Sequence, residues 1–262
     1  MNKRLFTLPM LILVLAAFLV VGCDSGAHIF AQTYDPLRGY GPAMHSHLGN
    51  IRQGVDWKES ASSLFSGRGS FGNGSAMRVA PLGAYFADDL DMVVQQAALS
   101  AEVTHTHPEA EAGAIAVAVA AALAWQAGQN KSRSSSMDFL NSILAYVPPS
   151  EVAEKIKEAR DLHSNASIRL AVSVLGSGEK VSAQDTVPFA LWCASKHLDN
   201  FEDAFWFTLE GLGDRDTTCA MVGGIVACYT GTSAIPSDWI EAREALPRWS
   251  YNSDASQEEE IG

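Results

Sequence analysis

A chain of 262 residues, 47 % of them hydrophobic, is long enough to enclose a sizeable core in one large domain or two small ones. Its formal net charge of −12 argues against a general nucleic-acid or anionic-membrane surface, because phosphate binding needs clustered Lys and Arg. The cysteines Cys23, Cys193, Cys219 and Cys228 form no CxxC pair and no Cys/His zinc spacing, which argues against a disulfide framework or structural zinc.

Residues 1–23 run from basic Lys3 and Arg4 through an apolar stretch to Gly22 and Cys23, the pattern of a signal segment. Val20 to Cys23 passes as a permissive lipobox, so Cys23 is a candidate membrane tether of an exported lipoprotein. A wrong start or a fused upstream stretch is the alternative, and the protein is then cytoplasmic. A globular domain is expected over 28–250, with an acidic, solvated tail over 251–262.

Within the domain, helical periodicity recurs and no convincing run of alternating strands is found, so an all-α fold is expected. His28 to Tyr34 reads as a helix end stopped by Asp35 and Pro36. Ala43 to Ile51 follows, with Met44, Leu48 and Ile51 on one face, and Asp56 opens a short helix. Gly67, Gly69, Gly72 and Gly74 then make a backbone that can bend sharply and come close to a ligand, or else a purely structural turn. Ser75 to Val79 reads as a helix start whose N–H groups could meet a phosphate, although no Walker A Lys-Ser/Thr follows.

Asp88, Asp89 and Asp91 suit the positive start of the next helix, which runs to Ser100. His105 and His107 follow; the pair could ligate a metal, although no nearby Cys or third His completes a zinc set, and His105 could instead donate to a ligand oxygen or simply pack. Gly113 to Trp125, almost wholly Ala, Val, Ile and Leu, is expected as a central core helix rather than a membrane span. Amphipathic helices follow over Met137 to Tyr146 and Ser150 to Leu162, then a connector through Val181 to Pro188. Phe189 to Ala194 and Phe201 to Leu209 are read as helices, and Cys193, Cys219 and Cys228 as small buried hydrophobes.

The densest chemistry lies at Gly211 to Ala227. Asp214 and Asp216, two residues apart on a glycine-flanked turn, are followed by Thr217, Thr218 and a small apolar run. Carboxylate and hydroxyl oxygens on a stiff turn suit Mg²⁺ or Ca²⁺. The same residues suit a helix entrance, with Asp216 or Thr217 as the cap and Asp214 as turn chemistry.

Three stretches in order, Gly69 to Arg78, Thr104-His105 and Gly213 to Thr218, resemble the ADP-ribosylglycohydrolase family, that of the dinitrogenase-reductase-activating glycohydrolase. The likeness extends from about His28 to Pro247. It implies an all-α fold with a binuclear Mg²⁺ centre, a cleft for ADP-ribose, and hydrolysis of ADP-ribose from a protein or small-molecule acceptor. By position, Asp214, Asp216 and Thr217 match the family's C-terminal metal ligands. Gly69, Ser70, Phe71, Gly72 and Asn73 match its ADP-ribose loop, and His105 its ligand-contacting histidine. The family's N-terminal Gly-Asp motif, with its nearby acid, and its Thr-Asp-Asp motif have no counterpart, and the hydrophobic leader stands in their place. An N-terminally truncated domain with half a metal centre is therefore expected. It would be a hydrolase if complete, or a catalytically impaired ADP-ribose or nucleotide-binding module.

Overall fold

Alanine sets the centre of the molecule. In the computed structural model, which describes residues 26–244, helix α7 (Pro108–Gln129) is buried on all its faces from Ala112 to Ala122. His107 caps its start, Pro108 opens it, and Glu109 and Glu111 lie in its first turn, where the helix dipole favours negative charge. The helix is long and apolar enough to cross a membrane by length and composition, but other helices wrap it, as a core helix requires.

The elements before it are α1 (26–33), α2 (Pro42–Arg52), α3 (Trp57–Gly67), α4 (Gly74–Met77), α5 (Ala80–Tyr85) and α6 (Leu90–Glu102). After it come α8 (Ser136–Leu144), α9 (Glu151–Asp161), α10 (Ile168–Leu175), α11 (Ala183–Lys196) and α12 (Phe201–Leu209). Helix α13 (Arg215–Thr230), a 3-10 turn (Thr232–Ala234) and α14 (Ser237–Ala242) complete the order. Among the described residues no strand forms; one isolated antiparallel bridge pairs Gly72 with Ser182. The all-α expectation holds, while the signal-like segment with Cys23 and the acidic tail lie outside the described residues.

Local sequence accounts for most helix starts. Asp56, Asp89, Ser135, Ser150, Ser167 and Asn200 each accept from the backbone N–H three residues on, satisfying a donor that the helix cannot. Asp89 thus takes the helix-entrance role expected of the Asp88 to Asp91 cluster.

Two boundaries differ from the sequence reading. Helix α11 begins at Ala183 and carries Pro188 inside it, where a connector is expected up to Pro188. An interior proline costs about 3 kcal/mol in an exposed helix. Here Val187, Phe189, Ala190, Leu191 and Trp192 are all buried around it, and that burial offsets the loss. Helix α10, outside the periodic stretches noted above, is held by its Ser167 cap and by burial of Ala171 and Leu175.

The small residues of α7 bring its neighbours to backbone contact. A Cβ on Gly83 of α5 would lie 2.0 Å from the Ala118 carbonyl oxygen, and one on Gly128 would lie 2.4 Å from the carbonyl oxygen of Tyr229 in α13. A smaller core joins α1, α2 and α3 through Ala27, Ala31, Leu48, Ile51 and Trp57, with Val103. Arg52 fastens α1 by donating to the carbonyls of Ala31, Gln32 and Tyr34.

Gly83→Ala is expected to destabilise the fold by about 1–3 kcal/mol, since the added methyl meets backbone rather than a mobile side chain. Gly223→Ala, whose Cβ would meet nothing nearer than Phe201 at 3.7 Å, is expected to be neutral or to stabilise by up to about 1 kcal/mol. Urea unfolding of the two variants checks the contrast.

Candidate functional site

The glycine loop is bent by contacts that exclude side chains. Gly69 has φ +72°, and a Cβ there would fall 2.1 Å from Thr106 Oγ1. Ser70 Oγ accepts from the Gly72 N–H at 3.2 Å, and the Ser70 carbonyl accepts from the His107 N–H at 3.3 Å. Beyond the bend, the Phe71 carbonyl accepts from Ala183 N at 2.9 Å and Asn73 N donates to the Val181 carbonyl at 3.3 Å. The loop is thereby pinned to the start of α11.

Asn73 then spans the site. Its side-chain Nδ2 donates to Thr186 Oγ1 at 3.0 Å and to Asp214 Oδ2 at 2.8 Å. Asp214 is held from the other side too: its backbone N–H donates to the Ser177 carbonyl at 3.1 Å, and Cβ atoms on Gly178 and Gly213 would collide with Asp214 Cβ and Ser177 O at 2.6 and 2.3 Å. These glycines let two turns touch. The resulting cleft encloses about 600 Å³ and is lined by Gly178, Glu179, Val181, Gly213 and Asp214. A second hollow of about 210 Å³ beside Leu123, Asn130 and Phe139 has no charged lining residue.

Asp214, rather than Asp216 or Thr217, caps α13; its Oδ1 accepts from Thr217 N at 3.4 Å. Asp216 is exposed in the first turn, and the Thr217 hydroxyl is buried 3.6 Å from Met77 Sδ. The structure therefore joins Gly72, Asn73 and Asp214 into one site, with Asp216 and Thr217 on the adjoining turn. Among the described residues, no three His, Cys, Asp or Glu side chains gather as a metal set. Both Asp214 oxygens already accept hydrogen bonds, and a binuclear Mg²⁺ centre needs more oxygen donors than these three residues offer. The described residues do not fit that centre as a whole.

His105 and His107 have separate tasks. His107 caps α7 by accepting from Glu109 N at 3.2 Å. His105, 6 % exposed, lies under the loop: its Nε2 would be 3.2 Å from a Cβ on Gly72 and 3.3 Å from one on Gly74. Burial, then the Arg78 and His47 charges, push its pKa down to about 3.

Several residues at this site escape a motif reading. Phe65, Val181 and Leu212 hold φ of 52°, 53° and 58°, and all three are exposed apolar side chains. Left-handed non-glycine residues carry strain and cluster at functional sites. The Phe65 and Phe71 rings stand 6.1 Å apart beside the loop. Ser177 and Gly178 lie in a plain connector and Thr186 in the first turn of α11, and only their contacts reveal them.

His105 has an ordinary value of 6.5 in the unfolded chain and about 3 in the fold, so as pH falls the unfolded state takes up its proton first. Its contribution to stability is full above about pH 6.5 and is lost as pH drops toward 3. His47, also lowered by burial, adds to the loss below 6.5. Unfolding free energy measured against pH should fall with a slope of up to ~1.4 kcal/mol per unit from His105, and His105→Gln should make that slope shallower.

Comparison with known proteins gives this geometry a family. Residues 10–259 match the family described as ADP-ribosylglycohydrolase, so the match begins within the hydrophobic leader. The chain is 32 % identical over 254 residues to ADP-ribosylhydrolase ARH3 of Bos taurus, spanning 83 % of this chain and 67 % of the relative. With ADP-ribosylhydrolase ARH3 of Homo sapiens it shares 30 % identity over 252 residues, again 83 % and 67 % of the two chains. A solved structure named "ADP-ribosylglycohydrolase-related protein complex" has the same fold, with a TM-score of 0.61 at 19 % identity over 89 % of this chain and 74 % of that one. Motifs, profile and relatives agree, and the chain belongs to the ADP-ribosylglycohydrolase family.

Proposed function

We propose that the cleft lined by the Gly178 to Val181 turn, Gly213 and Asp214, which Asn73 ties to the glycine loop, binds ADP-ribose, and that the described residues form the binding part of a hydrolase site for ADP-ribosyl linkages. The observation that carries this is the Asn73 bridge, which makes the loop and Asp214 one site. The glycine backbone lets a pyrophosphate come close because no Cβ intervenes, although the Gly69 and Gly72 N–H groups already donate within the fold, to Leu64 O and Ser70 Oγ. The exposed ring of Phe65 and the half-buried ring of Phe71 offer an apolar surface to adenine.

Cleavage at an anomeric carbon builds oxocarbenium-like positive charge as the leaving group departs. Asp214, half-buried and fixed by Asn73, is the carboxylate placed to stabilise it. Mg²⁺, the family's metal, would polarise oxygens and orient water when bound. Asp214, Asp216 and Thr217 supply three of its ligands at most, and the rest must come from outside the described residues. On this reading the chain by itself binds ADP-ribose and turns over slowly. Its ligand is ADP-ribose or an ADP-ribosylated substrate.

Calorimetric titration of the full chain with ADP-ribose tests the binding reading: saturable binding is expected, and its absence rejects it. Asn73→Asp places a second carboxylate 2.8 Å from Asp214 and should weaken binding about tenfold or more, ~1.4 kcal/mol. Release of ADP-ribose from an ADP-ribosylated protein in Mg²⁺ should stay near background; brisk turnover would overturn the half-site.

A further inference from the structure

Beneath the glycine loop lies a cation without a carboxylate. The Arg78 guanidinium rests 5.0 Å from the Phe30 ring centroid, and its Nη2 donates to the Ser100 carbonyl at 2.7 Å and to Thr104 Oγ1 at 2.9 Å. No acidic side chain pairs with it among the described residues, and its Nε is enclosed without a partner. Burying a guanidinium this way is costly; even its pKa is drawn down to about 10 by desolvation. A group kept at such a cost is expected to act on something nearby.

What it touches is Thr104, and Thr104 touches His105. Thr104 Oγ1 and His105 Nδ1 are 2.6 Å apart, and Thr104 is 4 % exposed. Arginine only donates, so one lone pair of the Thr104 hydroxyl is taken. The hydroxyl proton then has a single acceptor within reach among the described residues, His105 Nδ1. Were Nδ1 protonated instead, the hydroxyl would accept twice and leave its own proton buried with no acceptor, a loss of about 1–3 kcal/mol. The adjacent cation also polarises the hydroxyl, making it a better donor. Nδ1 is therefore the acceptor, and the imidazole proton sits on Nε2.

His47 shows the same ring in a closed circuit. Its Nε2 donates to the Val103 carbonyl at 2.9 Å, and its Nδ1 accepts from Ser60 Oγ at 2.9 Å. Both nitrogens are spent within the fold. His105 differs: its Nε2 has no hydrogen-bond partner among the described residues and stands against Gly72 and Gly74, where the missing Cβ atoms leave room for it.

We infer that Arg78 and Thr104 are positioning residues that lock His105 as the Nε2–H tautomer, so that the ring presents one fixed neutral donor to an acceptor oxygen of the ligand held by the glycine loop. The donor function rests on the proposed ADP-ribose reading; the tautomer does not. A neutral imidazole N–H bonds a hydroxyl or phosphoryl oxygen of the ligand without adding a charge beside Arg78.

The test is a ring ¹⁵N–¹H correlation spectrum of the full chain with labelled histidine, recorded first without ligand. His105 is expected with a bare Nδ1 and a protonated Nε2, and ADP-ribose is expected to shift the Nε2–H resonance. Thr104→Val removes the lock and should give a mixture of tautomers with binding weakened about tenfold (~1.4 kcal/mol), while Thr104→Ser should restore both. A proton on Nδ1 in the wild type overturns the inference, as does Thr104→Val keeping both the Nε2–H tautomer and full affinity. The wild-type spectrum decides the tautomer even where Thr104→Val does not fold. A chain that fails to bind ADP-ribose rejects the proposed function and the ligand-donor role, and leaves the tautomer to the spectrum. A chain that binds it with the wrong tautomer rejects this inference alone.

Discussion

The site hangs on one hydrogen bond. Asn73 Nδ2 and Asp214 Oδ2 meet at 2.8 Å although 141 residues separate them along the chain. An amide is well suited to the place: two N–H donors on one nitrogen let it serve Thr186 and Asp214 together, and no charge is added beside the carboxylate. A contact this long-range survives only if the elements carrying its ends are rigid. That rigidity comes from α7, whose small residues allow α4, α5, α11 and α13 to pack directly against it.

Around that bond the fold keeps polar and strained features that a core by itself would not need. Among the described residues seven glycines hold positive φ, and Gly69, Gly178 and Gly213 are the ones that bring the site's turns into contact. Phe65, Val181 and Leu212 hold similar angles without glycine's excuse, and they border the same region. Half-buried Arg78 with buried His47 and His105 forms a second polar layer below the loop. The thiols, by contrast, behave as small packing groups, as their apolar settings suggested: burial pushes Cys219 up to about 11 and Cys228 up to about 12.

Legibility varied with the range of the interaction. Helix starts at Asp56, Asp89 and Ser150 are readable because cap and helix are three residues apart. The alanine-rich α7 is readable because its composition suits only a buried helix. The start of α11 was misplaced since Pro188 is a local stop signal, overruled here by burial on every side. At Asp214 the residue types were readable as cap or ligand, but the assignment of the cap to Asp214 needed the geometry of the turn.

From sequence alone came the all-α class, the glycine loop, the Asp214-Asp216-Thr217 turn and the family they point to, because each is written in contiguous residues whose propensities and order suffice. Tertiary structure decided which of those residues meet. It joined Asn73 to Asp214, left Asp216 exposed, turned the Thr217 hydroxyl toward Met77, and set Arg78 and Thr104 behind His105. Such pairings depend on how helices distant in sequence pack around α7, and no local pattern encodes a contact whose two halves are folded together only by the core between them.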